Sequence, residues 1–177
     1  MYVRSDHDAD IRLTLEAVID LTNELDQPDV DVILLDYPDF KLNEFGARGI
    51  GEIGKNMLMV QYEEDIIIID AGLMFPEDYM LGVDFVIPDM DYIRTNREKV
   101  AAIVLTHAHE DHIGALPFLL RIVNAPVFGT PFTLGVVRNK LEEFGLAQSA
   151  RLHEIQAGGR IKLGEFQLEF IRVRHSV

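Results

Sequence analysis

The 177-residue sequence contains no cysteine. That absence excludes disulfides, thiolate metal ligands and a cysteine nucleophile, so any strong metal site must be built from histidine nitrogen and carboxylate oxygen. Basic residues are scarce: 16 Lys and Arg stand against 30 Asp and Glu, a formal net charge of −14. Such a balance repels a polyanion and argues against simple backbone gripping of nucleic acid by this chain. Long apolar runs are also missing, none approaching the roughly 18 residues that signal a membrane span. The charged start, Met1 to Asp10, lacks the apolar core of a signal peptide. A cytoplasmic location without a membrane partner is the expectation.

What is present suits a buried core, with 48% hydrophobic and 26% charged residues, close to the averages of globular proteins. The length predicts one ordinary domain plus a short extension. Residues 1–45 hold 12 acids and 3 bases, and form an acidic N-terminal extension without a readable motif. Within it, Ile11, Leu15, Val18, Ile19 and Leu25 fall near a helical repeat, predicting a helix over Ile11–Leu25, and Asp31–Tyr37 predicts a strand.

Residues 46–177 read as α/β. Strands are predicted at Met57–Tyr62 and Asp65–Asp70, joined at Glu63-Glu64 as a hairpin. Ile66 to Ile69 is an unbroken isoleucine run, the mark of a strand buried on both faces, so a layer of helices is expected on each side of its sheet. A long loop, Ala71–Pro88, then has the length of one that shapes a site. The strand Lys99–Thr106 leads into the histidines, and a helix over Ile113–Val123 is expected to start late or bend at Pro117. A strand at Pro126–Phe128 precedes a helix Pro131–Phe144, opened by Pro131 and closed by Gly145. Short strands follow at Leu152–Ile155, Arg160–Leu163 and Phe166–Val173.

The chemistry concentrates in Thr106-His107-Ala108-His109-Glu110-Asp111-His112. In an extended segment side chains alternate, so His107 and His109 can reach one ion, while Asp111 and His112, at a helix start, can turn toward a second. Zn²⁺ accepts both ligand types. Alternation turns Glu110 away from them, toward solvent or a supporting role. Asp70 ends the isoleucine strand and has two readings: a residue capping the turn before Gly72, or a carboxylate that orients the histidine loop by accepting an imidazole N–H. His175, at the end of the last strand, is a candidate further ligand of the first ion. His7, in the charged arm, and His153, on a strand edge, are read as non-ligands.

Gly49-Ile50-Gly51-Glu52-Ile53-Gly54 has the form G-x-G-x-x-G, but a strand rather than a helix is predicted next, so a nucleotide cofactor is rejected. Gly54-Lys55-Asn56 also fails as a phosphate loop, because no hydroxyl residue follows the lysine.

His107-Ala108-His109-Glu110-Asp111-His112 resembles the H-x-H-x-D-H motif of the metallo-β-lactamase fold. With Gly49–Asn56, Ile69-Asp70-Ala71-Gly72, Phe75-Pro76-Glu77-Asp78, Val86-Ile87-Pro88-Asp89 and His112–Pro117 in order, residues 46–177 resemble the ribonuclease J family of the β-CASP group. The resemblance implies an αββα sandwich with two zinc ions per complete site. His107, His109 and His175 would hold one ion, and Asp111 and His112 would belong to the other. Asp70, Asp111 and His112 are the implied catalytic residues. RNA is the implied substrate, cut by a metal-activated water internally, from an end or both, in a protein that is a homo-oligomer when intact.

Arg48 stands where the family leads us to expect a glycine. The sequence also stops before the family's Thr-Gly-Asp-type segment, inserted RNA-clamping domain and late histidine, so it reads as an amino-terminal fragment carrying a partial fold, truncated at the C-terminus. Two rival readings accompany the ribonuclease: a small-molecule metallohydrolase of the same fold, of thioesterase or lactamase type, and a non-catalytic metal-binding or dimerising fragment.

Overall fold

The computed structural model describes residues 11–14, 28–37, 56–62, 64–76, 79–164 and 166–174. In chain order the strands are β1 (Ile11–Thr14), β2 (Pro28–Tyr37), β3 (Leu58–Tyr62), β4 (Asp65–Ile69), β5 (Val100–Val104), β6 (Val127–Gly129), β7 (Leu152–Glu154), β8 (Arg160–Leu163) and β9 (Phe166–Arg174). The helices are α1 (Asp91–Thr95), α2 (Glu110–Ile113), α3 (Leu116–Ile122) and α4 (Pro131–Glu143), with a 3₁₀ turn at Arg97–Lys99.

The isoleucine run forms β4. It closes an antiparallel hairpin with β3, in register from Leu58 opposite Ile69 to Tyr62 opposite Asp65. On its other edge β4 runs parallel to β5, followed by β6 and β7, also parallel, giving the order β3-β4-β5-β6-β7. Parallel neighbours need crossovers, and α1 to α4 supply them. The second sheet is antiparallel, in the order β1-β2-β9-β8. Strand β2, from the acidic extension, thus pairs with β9.

Side-chain alternation divides the core. Ile66, Ile68, Ile103, Leu105 and Val127 pack with Ile113, Leu116, Leu119, Leu134, Val137 and Leu141 of the helices. Ile67, Ile69 and Val104 turn the other way, with Leu58 and Val60, onto Phe166, Leu168 and Phe170 of β9. The expectation of helices on both sides of this sheet is therefore corrected. One face of β4 is covered by helices and the other by the second sheet, the inner layers of the αββα arrangement. An unbroken apolar strand reports burial on both faces without reporting what does the burying. Ile68 has no exposed surface, and Ile68→Val is expected to cost about 1 kcal/mol, read as a lowered urea midpoint at unchanged slope.

Two local expectations are also corrected. Ile11–Thr14 is strand, Ile11 opposite Tyr37: Ile11 and Leu13 alternate with Arg12 and Thr14, a period of 2 that the helical repeat starting at Ile11 passed over; residues 15–25 lie outside the described set. The helix expected over Ile113–Val123 starts late, as one of the two readings of Pro117 had it: α3 begins at Leu116 with Pro117 in its first turn, where its missing N–H leaves no bond unmade, and what differs is that Ile113 closes the separate short helix α2. Helix α4 is as expected: Thr130 caps it by accepting from the Thr133 N–H, Pro131 opens it, and Gly145 follows it at φ 70°. Helix α1 had no marker in the pattern. Among the described residues no helix is long and apolar enough to cross a membrane.

Candidate metal centre

Ligand sites in parallel sheets gather where strands end, and here the carboxyl ends of β4 and β5 lie side by side. Asp70 follows β4 and extends its pairing, its N–H donating to the Val104 carbonyl at 2.8 Å. Its φ of 61° is the single positive value at a non-glycine among the described residues, a conformation that Asp tolerates better than most residues. The turn aims a carboxylate, in a residue only 5% exposed, at the start of the histidine loop. Oδ1 accepts the Thr106 N–H at 2.8 Å, while Oδ2 accepts the Thr106 hydroxyl at 2.7 Å and lies 2.7 Å from His112 Nδ1.

These bonds dictate tautomers. Asp70 as acceptor places the His112 proton on Nδ1 and leaves the Nε2 lone pair facing outward. Thr106 Oγ1, having given its proton to Asp70, accepts from His107 Nδ1 at 2.9 Å, which leaves His107 Nε2 as the acceptor nitrogen of its ring, facing His109 Nδ1. One carboxylate therefore orients two imidazoles, one directly and one through a hydroxyl.

The candidate ligand atoms fall into two pairs. His107 Nε2 and His109 Nδ1 are 3.0 Å apart, and Asp111 Oδ2 and His112 Nε2 are 3.6 Å apart. Two ligands of one tetrahedral zinc, each about 2.0–2.1 Å from it, would be separated by roughly 3.4 Å. Both pairs fit a metal ion by that measure and by their N and O chemistry. The His107 and His112 ring centroids are 4.0 Å apart, so the pairs adjoin. Asn56 Nδ2 donates to Asp111 Oδ2 at 2.9 Å and sits 3.0 Å from His112 Nε2. Among the described residues no group of three or more His, Cys, Asp or Glu side chains is placed to hold a metal ion together.

Backbone contacts press the ligand turn against the start of the Ala71–Pro88 loop. The Asp111 carbonyl accepts from Asn56 N–H at 3.0 Å, the His112 carbonyl from Ala71 at 2.7 Å, and the Glu110 carbonyl from Leu73 at 3.1 Å. Such proximity requires glycine at two points. A Cβ on Gly72 would lie 1.5 Å from the Asp111 carbonyl oxygen, and one on Gly114 would lie 2.3 Å from Leu73 Cγ and 2.5 Å from the Glu110 carbonyl. Farther along, the loop is pinned by a bridge between Met74 and Val86 and exposes Phe75, Tyr79, Leu81 and Phe85.

The structure thus brings His107, His109, Asp111, His112 and Asp70 together, and for Asp70 it shows the orienting contact. His175 and His7 lie outside the described residues. His153 is exposed on the edge strand β7 and stacks on Phe128. The segment following the glycine string is strand β3, as the rejection of a nucleotide site required. Sequence reasoning missed Thr106, Asn56 and the two close-approach glycines. Asn56 stands in the sequence as the end of the Gly49–Asn56 segment and as the residue spoiling a phosphate loop, and no local pattern marks its tie to Asp111.

A family model described as the metallo-beta-lactamase superfamily matches residues 50–172. Among curated proteins, the chain is 46% identical over 133 residues to ribonuclease J 1 of Streptococcus pyogenes, covering 75% of this chain and 24% of that protein. It is 48% identical over 136 residues to ribonuclease J of Thermus thermophilus, covering 73% and 24%. The chain therefore spans about a quarter of the length of these relatives. Among solved structures, a metallo-beta-lactamase from Cronobacter sakazakii, a mutant in its HARLDQ motif, aligns at 23% identity and a TM-score of 0.46, covering 69% of this chain and 49% of that one.

Proposed function

Because this chain belongs to the metallo-beta-lactamase superfamily and its curated relatives include ribonucleases J, we propose that it carries the metal-binding loop of a zinc-dependent ribonuclease. The observation that carries this reading is the pair of ligand pairs on one loop, His107 with His109 and Asp111 with His112, each at a separation suited to one ion. The substrate is an RNA phosphodiester and the reaction its hydrolysis. The reading includes a cytoplasmic location and self-association of the intact protein.

Zinc, when bound, lowers the pKa of water toward neutrality and offsets charge developing on a phosphoryl group. The chain's own residues prepare that chemistry. His107 and His109 would hold the first ion; Asp111 and His112 would contribute to the second. His175 is proposed as a further ligand of the first. Asp70 holds the protons on the far sides of His112 and, through Thr106, His107. Asn56 fixes the Asp111 carboxylate by donating to Oδ2. The formal charge of −14 makes local cations the means of meeting a phosphodiester, since the protein's overall field opposes it.

The 177-residue chain is expected to bind one zinc ion firmly at most and to turn over RNA weakly or not at all, because this reading gives the first ion three ligands, His107, His109 and His175, and the second only Asp111 and His112. Equilibrium dialysis with metal analysis checks this, and a His107→Ala, His109→Ala double variant is expected to lose the ion. For the substrate, the gene product at full length is loaded with zinc and offered RNA, a thioester and a β-lactam. RNA cleavage that a chelator stops is the expected result. Hydrolysis of either small molecule with intact RNA sinks the ribonuclease reading.

A further inference from the structure

We propose that Lys140 is a positioning residue for the metal-binding turn: from α4 it grips Glu110, which sits between the ligands His109 and Asp111, and so sets how the two ligand pairs face each other. The inference rests on the reading of His107–His112 as a metal site.

Helix α2, which carries Asp111 and His112, is four residues long, and its N-cap residue His109 makes no side-chain capping bond. A single turn does not hold itself together, so neighbouring elements determine its position. On one side the anchors are backbone: Asn56, Ala71 and Leu73 donate to the carbonyls of Asp111, His112 and Glu110. Glu110 points the other way, and there Lys140 Nζ lies 2.8 Å from each of its carboxylate oxygens.

The two partners differ in rigidity. Lys140 sits in the last turn of a 13-residue helix capped by Thr130 and seated through Thr133, Leu134, Val137 and Leu141. Its place one turn after Val137 puts it on the flank of that buried stripe. The Lys140 side chain is 17% exposed, against 46% for Glu110, so the lysine is the more enclosed partner of the two. The pair ties a fixed helix to a single turn that carries ligands.

An ion pair of this exposure contributes little to stability, on the order of 0–1 kcal/mol; its effect is on geometry. Electrostatics alone predicts the opposite of positioning. Removing a cation beside the site would strengthen metal binding, whereas releasing the turn weakens it.

The test measures Zn²⁺ affinity by chelator competition on the 177-residue chain, with the Co²⁺ absorption spectrum as a reporter of ligand geometry. Lys140→Met retains the stem without the charge. It is expected to weaken the firm ion about tenfold, the lower end for groups that orient ligands, and to change the Co²⁺ spectrum while the urea midpoint of the metal-free chain stays close to the parent's. The exchanged pair, Glu110→Lys with Lys140→Glu, is expected to recover most of the affinity. If the parent binds zinc and Lys140→Met binds it as tightly or more tightly, or if the exchanged pair stays as weak as the single variant, the positioning role is overturned and the metal reading stands. A parent chain that binds no zinc overturns both.

Discussion

Gly72→Ala is expected to disassemble the turn proposed to bind metal, with loss of measurable zinc affinity and a destabilisation of about 3 kcal/mol, at the upper end for overpacked positions. The cause is space. A Cβ at this position would stand 1.5 Å from the Asp111 carbonyl oxygen, 2.3 Å from its carbon and 2.8 Å from the Asn56 nitrogen. All three are backbone atoms, so no side chain can rotate out of the way. Restoring an ordinary contact demands a shift of about 2 Å, which the hydrogen bonds from Asn56, Ala71 and Leu73 to the turn cannot follow within their geometric limits. Urea unfolding and zinc titration of the variant check both effects. Gly135→Ala is the matched control, since it lies within α4 with nothing within 4 Å of its built Cβ; it is expected to stabilise the chain by roughly 0.5–1 kcal/mol. A Gly72→Ala chain that binds zinc like the parent would show that the turn does not need this approach.

That dependence on one missing Cβ marks the limit of what the sequence discloses. His107, His109, Asp111 and His112 are legible because metal chemistry selects residue types and the fold places these four within six positions, so type and spacing can be read together. Asn56 and Gly72 serve the same turn from 55 and 39 positions before Asp111, and their roles exist only once β4 and β5 bring the segments together. Asp70 falls between. Its place at a strand end was readable, but capping a turn and orienting an imidazole are indistinguishable until His112 Nδ1 is seen 2.7 Å away.

Fold elements divide along the same line. Helix α4 was legible because Pro131 and Gly145 punctuate it locally. The two-sided burial of β4 was legible from Ile66–Ile69, but the identity of the covering layer was not, because Phe166, Leu168 and Phe170 lie a hundred residues downstream. Ile11–Thr14 is too short to separate a period of 2 from one of 3.6, and pairing with β2 decides it.

Asp70 also carries the second large expected effect, and two substitutions separate its roles. Asparagine keeps the shape and tolerates φ near 61°. Its amide oxygen can still accept the Thr106 N–H, but its nitrogen is a donor facing two donors, the Thr106 hydroxyl and His112 Nδ1. The conflict resolves if His112 moves its proton to Nε2 and Thr106 turns its hydroxyl toward His107 Nδ1, which drives the His107 proton to Nε2 as well. Both atoms that should coordinate then carry hydrogen. Asp70→Asn is therefore expected to lower zinc affinity about 10–100-fold with a modest loss of stability. Asp70→Ala leaves the buried Thr106 N–H without this acceptor and puts alanine at a positive φ, so it is expected to add a destabilisation of about 1–3 kcal/mol to the loss of zinc. Nitrogen-15 chemical shifts of the metal-free chain report the tautomers directly. Asp70→Asn with His107 and His112 still protonated on Nδ1 and unaltered zinc affinity would remove Asp70 from the site and leave it a turn residue.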